Sequence, residues 1–174
     1  GPAGYPVPSP NEYIVRPIMN LGGMGVGARI RHIEPDELEK VPAGYFWSEV
    51  FTGKQYSIDY VREKDEWKQL NCYQGYNNHS DLTRFSMWQR IDEEVKLPEE
   101  LKEIDVERLN VEMIDHKVIE VHLRNGFDHM MDWKYIIPVF KGDPKRKEGY
   151  RFIKGKATGH GGLLYPREGY LVKI

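Results

Sequence analysis

The sequence has very little cysteine: Cys72 is the only one in 174 residues. An internal disulfide is therefore impossible, and a reducing, cytoplasmic setting is the expectation. Cys72 lies in "WKQLNCYQGY", which reads as a half-buried strand, so a structural thiol is expected there rather than a nucleophile. No apolar run approaches the roughly 20 residues needed to cross a bilayer, and no signal-peptide pattern is present. A basic excess is also missing, since 25 Lys and Arg face 27 Asp and Glu for a net charge of -2. That balance argues against a general nucleic-acid binder and leaves room only for a local basic site. Internal repeats, long helices and βαβ alternation are absent too, which argues against a Rossmann sheet.

What remains is ordinary for a globular chain, with 40% hydrophobic and 30% charged residues, enough for one domain or two small lobes. The opening "GPAGYPVPSP" carries four prolines in ten residues and is expected to be extended. It begins Gly-Pro rather than Met, as a protease scar, a processed terminus or an excised domain would. "NEYIVRP" predicts a short strand ended by Pro17, and "ARIRHI" the returning strand of a hairpin. "EPDELEK" adds one helical turn opened by Pro35. "YFWSEVFTGKQYSIDYVRE" reads as two strands around Thr52-Gly53-Lys54, and "EWKQLNCYQGY" as a third. "LPEELKEI" is a short helix. Then "RLNVEMI" and "VIEVHLR" flank a turn at Asp115-His116-Lys117, and "YIIPVF", "YRFIKGKAT" and "GYLVKI" follow. The pattern predicts an α+β chain, rich in antiparallel strands and poor in long helices.

Three stretches carry candidate chemistry. Gly22, Gly23, Gly25 and Gly27 fall between two strands, where bare backbone N–H groups can lie over a phosphate chain. Arg16, at the end of the incoming strand, would add a charged fork. The P-loop's Gly-Lys-Ser/Thr ending is missing, and "ARIRHI" is not the long helix a dinucleotide loop opens. A flexible hairpin loop explains the same glycines. In "SEVFTGKQYSIDY", Glu49 can accept from an exocyclic amine, the backbone near Phe51 can meet a base edge, and Gln55 can bond a ribose hydroxyl. An ordinary hairpin with a surface Glu is the alternative. In "RLNVEMIDHKVIEVHLRNG", Asn110 and Glu112 share a face of the first strand, and Glu120, His122 and Arg124 share one on the second. If the turn brings those faces together, two carboxylates and an arginine converge in a set suited to Mg²⁺ and to developing negative charge. Scattered charges on a surface strand pair are the plainer reading.

In this order the segments resemble the ATP-grasp superfamily. "GYPVPSP" is similar to its Gly-x-Pro-x-Pro lead-in, and "YIVRP" with the glycine hairpin resembles its Val-Lys-Pro strand and phosphate-covering loop. "EVFTGKQYSIDY" resembles the Glu-Glu-Phe-x-x-Gly-x-Glu-x-Ser-x-Asp hinge. "NVEMIDHKVIEVHLRNG" resembles the metal hairpin, which usually ends Glu-x-Asn-x-Arg. The resemblance covers residues 4 to 126. It implies two β-rich lobes gripping ATP, a glycine-hairpin lobe over 1–48 and a second lobe over 49–174 with the metal hairpin. It also implies an ATP-dependent ligase that activates a small-molecule or peptide carboxylate as an acyl phosphate for attack by an amine or thiol. Carried over, Arg16 contacts the phosphates, and Gly22, Gly23, Gly25 and Gly27 line the covering loop. Glu49 and the Phe51 backbone meet adenine, with Gln55 near the ribose. Glu112 and Glu120 hold Mg²⁺, with Asn110 or His122 as further ligands, and Arg124 stabilises the transferring phosphoryl group.

The chain departs from that pattern in places. Arg16 stands where lysine is usual, Gln55 replaces a glutamate, and His122 replaces an asparagine. The family's separate N-terminal α/β domain has no counterpart before Tyr13, so a missing domain or a partner chain is expected to supply it. A non-catalytic nucleotide-binding or assembly module on the same fold is the alternative, and an unrelated β-rich interaction domain is a third. "GKATGHGG" with His160 reads as a glycine-rich turn or a substrate flap, His129 as structural, and "KGDPKRKEG" as a solvated loop.

Overall fold

Alternating apolar and polar residues build eleven strands among the described residues, and every strand pairing is antiparallel. The computed structural model describes residues 1–19, 25, 27–77, 84–126, 133–155 and 167–174. Gly22, Gly23, His129, His160 and "GKATGHGG" beyond Gly155 lie outside them. Helix is confined to a 3-10 turn at Leu38–Lys40 and a single turn, α1, at Glu99–Lys102. The expected α+β class is therefore met in its antiparallel sheets, with still less helix than that name implies. No helix among the described residues is long and apolar enough to cross a membrane.

The chain divides into two compact units, with the first division after Phe51. The first unit is a three-stranded sheet in which β1 (Asn11–Pro17) lies between β2 (Arg29–Ile33) and β3 (Tyr45–Glu49). Odd-numbered β1 residues Tyr13 and Val15 face a core with Val7, Ile33 and Val41. Even-numbered Ile14 and Arg16 take the other face, as period-2 strands require.

The second unit is an eight-stranded sheet. Its strands are β4 (Gln55–Glu63), β5 (Glu66–Asn77), β6 (Phe85–Arg90), β7 (Arg108–Ile114), β8 (Lys117–His122), β9 (Tyr135–Phe140), β10 (Tyr150–Lys154) and β11 (Arg167–Lys173). They run in the order β10-β11-β9-β6-β5-β4-β7-β8. On one face Tyr56, Ile58, Cys72, Leu109, Val111 and Met113 form a core closed by Val95, Leu97, Ile104 and Val106 from the connection between β6 and β7. Each fully buried side chain such as Ile58 or Leu109 contributes about 1.5–3 kcal/mol over an exposed one. On the other face Tyr73, Trp88, Ile136, Tyr170 and Val172 form a second cluster.

The expected strand pair around Thr52-Gly53-Lys54 is present as strands but not as a hairpin. β3 pairs with β1, whereas β4 pairs with β5 and β7 in the other sheet. The tight hairpins are β4–β5 and β7–β8, whose turn residues Lys64, Asp65, Asp115 and His116 all have positive φ, the geometry two-residue turns need to match strand twist. Gly53 instead abuts the β7–β8 turn: Lys54 N donates to Asp115 Oδ1 at 2.9 Å, and Asp115 N to Lys54 O at 3.0 Å. With φ 132° at Gly53, a methyl there would run into the Asp115 carboxylate. Gly53→Ala is expected to cost about 1–3 kcal/mol, read as a lower urea midpoint. An unchanged midpoint would dismiss this contact as a lock.

Cys72 sits in β5, facing the first core, and is 1% exposed. Burial, with Glu93 adding to it, pushes its thiol from 9.0 up to about 12. Burial likewise pushes the Tyr60 phenol up. A raised folded pKa means the unfolded chain ionises first. The stability these neutral groups contribute is whole below about pH 9 and is lost as pH rises towards 12. Iodoacetamide at pH 8 should therefore leave Cys72 unmodified until denaturant is added, and labelling of the native chain at the rate of free cysteine would contradict this.

Candidate functional site

The site is built on the polar face of β4, β7 and β8. Gln55, Ser57 and Asp59 alternate along β4, and the register sets Ser57 opposite Glu112 and Asp59 opposite Asn110. On the far side of β7, Glu112 lies opposite Glu120 and Asn110 opposite His122. Directly opposed residues share a face, with Cβ atoms about 4.5–5.5 Å apart. Asn110, Glu112, Glu120 and His122 therefore form two cross-strand pairs on one face.

A β-bulge brings this about. Ile114 and Met113 pair with Lys117 and Val118, but the register then slips so that Glu112 meets Glu120. Ile119 is the extra residue. A straight ladder from the same two-residue turn would have set Ile119 and Val121 opposite Glu112 and Asn110. With the bulge, Val121 instead pairs with Val111 and packs on the core. Hydrophobic burial of Val121 thus fixes the face on which Glu120 and His122 emerge.

Beneath these pairs lies a buried polar anchor. Asp59 is 1% exposed. One of its oxygens accepts from Asn110 Nδ2 at 3.0 Å and Gly126 N at 2.8 Å, and the other from Asn71 Nδ2 at 3.1 Å. Asn110 Nδ2 also donates to Ser57 Oγ at 2.9 Å and Ile58 O at 3.3 Å. Asn110, expected as a further metal ligand, thus has its amide nitrogen committed to bracing the face from within. Asp59 is the residue that reading the sequence missed as a functional support. Its signal was present, since Gln55, Ser57 and Asp59 are polar at every second position of a strand whose other face is apolar.

Gly126 ties the segment after β8 to Asp59 and so fixes the approach of Arg124, whose Nη1 donates to Asn125 O at 2.8 Å. Burial pulls the Arg124 guanidinium below its ordinary value, opposed by Glu120, Asp59 and Glu112; a guanidinium stays charged all the same. Burial also lowers the His122 pKa against the pull of Glu120, whose Oε1 lies 3.7 Å from His122 Nε2. Gln55 Nε2 donates to Glu112 Oε2 at 3.4 Å, a weak contact. The set thus joins two facing carboxylates to a fixed guanidinium. Two facing carboxylates suit Mg²⁺, which completes its shell with water and phosphate oxygens. Among the described residues no three His, Cys, Asp or Glu side chains are grouped so as to hold a metal ion alone.

The first unit carries the remaining candidates. Arg16 lies 4.9 Å over the Phe46 ring, its direct neighbour across β3. Gly25 and Gly27 have φ of 61° and 86°, and Ala28 N donates to Gly25 O at 2.9 Å, so the described part of the loop is a turn only glycine enters easily. Glu49 is exposed at the end of β3 opposite Tyr13, hence on the opposite face of the sheet from Arg16. The sheet does not bring Arg16 and Glu49 together. Phe51 is half-buried just beyond β3.

No family model matches the sequence, and no curated protein matches it. Among solved structures the chain is similar to a protein from Archaeoglobus fulgidus described as an ATP-grasp superfamily protein, with 13% identity and a TM-score of 0.49. It is also similar to the ATP-grasp ligase PsnB complexed with minimal precursor, with 17% identity and a TM-score of 0.38. The matches cover 95% and 72% of this chain but 59% and 49% of those chains. The chain thus spans less than two thirds of either. Neither likeness decides a family or an activity.

Proposed function

We propose that this chain is the nucleotide-binding part of an ATP-grasp ligase that joins a carboxylate to an amine or thiol through an acyl phosphate. The observation that carries the reading is the bulged register of β7 and β8, which sets Glu112 against Glu120 on one face, near enough for both to act electrostatically on Arg124. In this reading Glu112 and Glu120 would hold Mg²⁺, with His122 adjacent, and the ion would supply charge neutralisation for the phosphate oxygens of ATP. Arg124 would supply a positive charge for a phosphoryl group moving to the substrate carboxylate and for the acyl phosphate so formed. Arg16 and the glycines Gly22, Gly23, Gly25 and Gly27 would steady the phosphates, while the Phe51 backbone would meet adenine and Gln55 the ribose; Glu49, on the face away from Arg16, is given no part. Phosphoryl transfer asks for little beyond positioning and charge neutralisation, which is what such a set supplies.

A second reading, a nucleotide-binding module without turnover, is favoured by the absence, among the described residues, of three metal-ligating side chains in one group. Calorimetry with ATP, once with Mg²⁺ and once with chelator, tests both. Mg²⁺-dependent binding with ATP consumption on addition of substrate supports the ligase. Binding without consumption across a panel of carboxylates and amines supports the module. Absence of binding in the full-length protein sinks both.

A further inference from the structure

The charge of this chain is unevenly distributed. Residues 133–174 carry ten Lys and Arg against three Asp and Glu, a net +7 in a chain whose total is -2, so the preceding residues carry -9. The basic stretch folds as the β9–β11–β10 end of the large sheet, and β10 is its outermost strand. Among the described residues β10 pairs only with β11, and no described strand covers its other edge.

The cations gather along that edge. Lys145, Arg146, Lys147, Arg151, Lys154 and Lys173 are all exposed. Two of the three nearby acids are spent internally, Asp143 accepting from Phe140 N at 3.0 Å and Glu168 pairing with Lys145. The cations are also held in place. Lys147 sits 4.7 Å over Tyr150, Lys173 5.2 Å over Tyr135 and Arg151 5.3 Å over Trp133. Cross-strand register sets Tyr150 opposite Lys173. Stacking a cation on a ring restricts its long side chain and lowers the entropy lost when it meets an anion.

We propose that the β10 edge docks an extended acidic peptide as an added strand, its carboxylates paired with Lys147 and Lys154 on the face that carries Tyr150. Backbone bonding along an open edge gives affinity, and side-chain charge gives specificity, in this mode of recognition. A single-stranded nucleic acid is the competing polyanion, but it needs open aromatic faces to stack its bases. Here Tyr150, Tyr135 and Trp133 each have a face covered by one of the chain's own cations, and the -9 elsewhere would repel a long polyanion. A short acidic strand meets neither obstacle.

The test uses the intact protein, a fluorescein-labelled peptide of alternating Glu and Val, and labelled oligo-uridine, with anisotropy followed at low and physiological salt. The peptide should bind, and Lys147→Glu and Lys154→Glu combined should weaken it roughly tenfold or more with thermal unfolding unchanged. Amide hydrogen exchange along β10 should slow when the peptide is added. Binding of oligo-uridine tighter than the peptide overturns the proposal, as does peptide binding that the charge reversals or the β10 amides do not register. If nothing binds, the cations are guards that keep the edge from pairing with other chains, and the proposal falls.

Discussion

Asp59→Ala is expected to lower the stability of the second unit by about 3–5 kcal/mol, because buried donors lose a charged acceptor that nothing else can replace. Asn71 Nδ2, Asn110 Nδ2 and Gly126 N all point at the Asp59 carboxylate. Asn110 keeps Ser57 Oγ and Ile58 O as partial substitutes, which holds the loss below a simple sum over three bonds. Against a typical total of about 5–15 kcal/mol, a loss of this size is severe. Urea unfolding followed by fluorescence of the four tryptophans would read it as a lower midpoint. Asp59→Asn should recover only part, since its own NH₂ group would face donors. A midpoint for Asp59→Ala within about 0.5 kcal/mol of wild type, the scatter of ordinary surface changes, would sink the view of Asp59 as the anchor of this face.

Glu120→Gln should have the opposite profile, with fold retained and function lost. Glu120 is partly exposed, its side chain at 31%, and glutamine has the same shape. Its amide cannot supply the negative charge that a hard cation requires. Mg²⁺-enhanced ATP binding should weaken by more than the roughly 10–100-fold that losing an outer partner costs, while the urea midpoint stays put. Glu112→Gln should behave alike, because the two residues face each other across the same pair of strands. If Glu120→Gln binds ATP with unaltered Mg²⁺ dependence, the hairpin does not hold the metal and the proposed roles of Glu112 and Arg124 lose their basis. The contrast with Asp59 is itself informative, since one carboxylate is buried and bonded while the other is partly exposed beside a histidine.

The sequence by itself determined the strands and the residues sharing a face within each. Alternation placed Gln55, Ser57 and Asp59 on one side of β4, and Asn110 with Glu112 on one side of β7. It also predicted the β1–β2 pairing and the turn that joins β7 to β8. Such features are local, set by side-chain period and turn chemistry over a few residues.

Tertiary structure decided the relations between strands. Whether Glu120 would face Glu112 depended on one extra residue, Ile119, because a register step of one reverses every side chain. No local pattern reports that step; burial of Val121 against the core selects it. The sequence likewise presented β3 and β4 as neighbours, and the structure sends them to different sheets because β1 satisfies one and β5 with β7 the other. Asp59 looked like a polar residue on a strand. It became an anchor only when β5, β7 and the segment after β8 brought three donors to its carboxylate, which long-range packing alone can do.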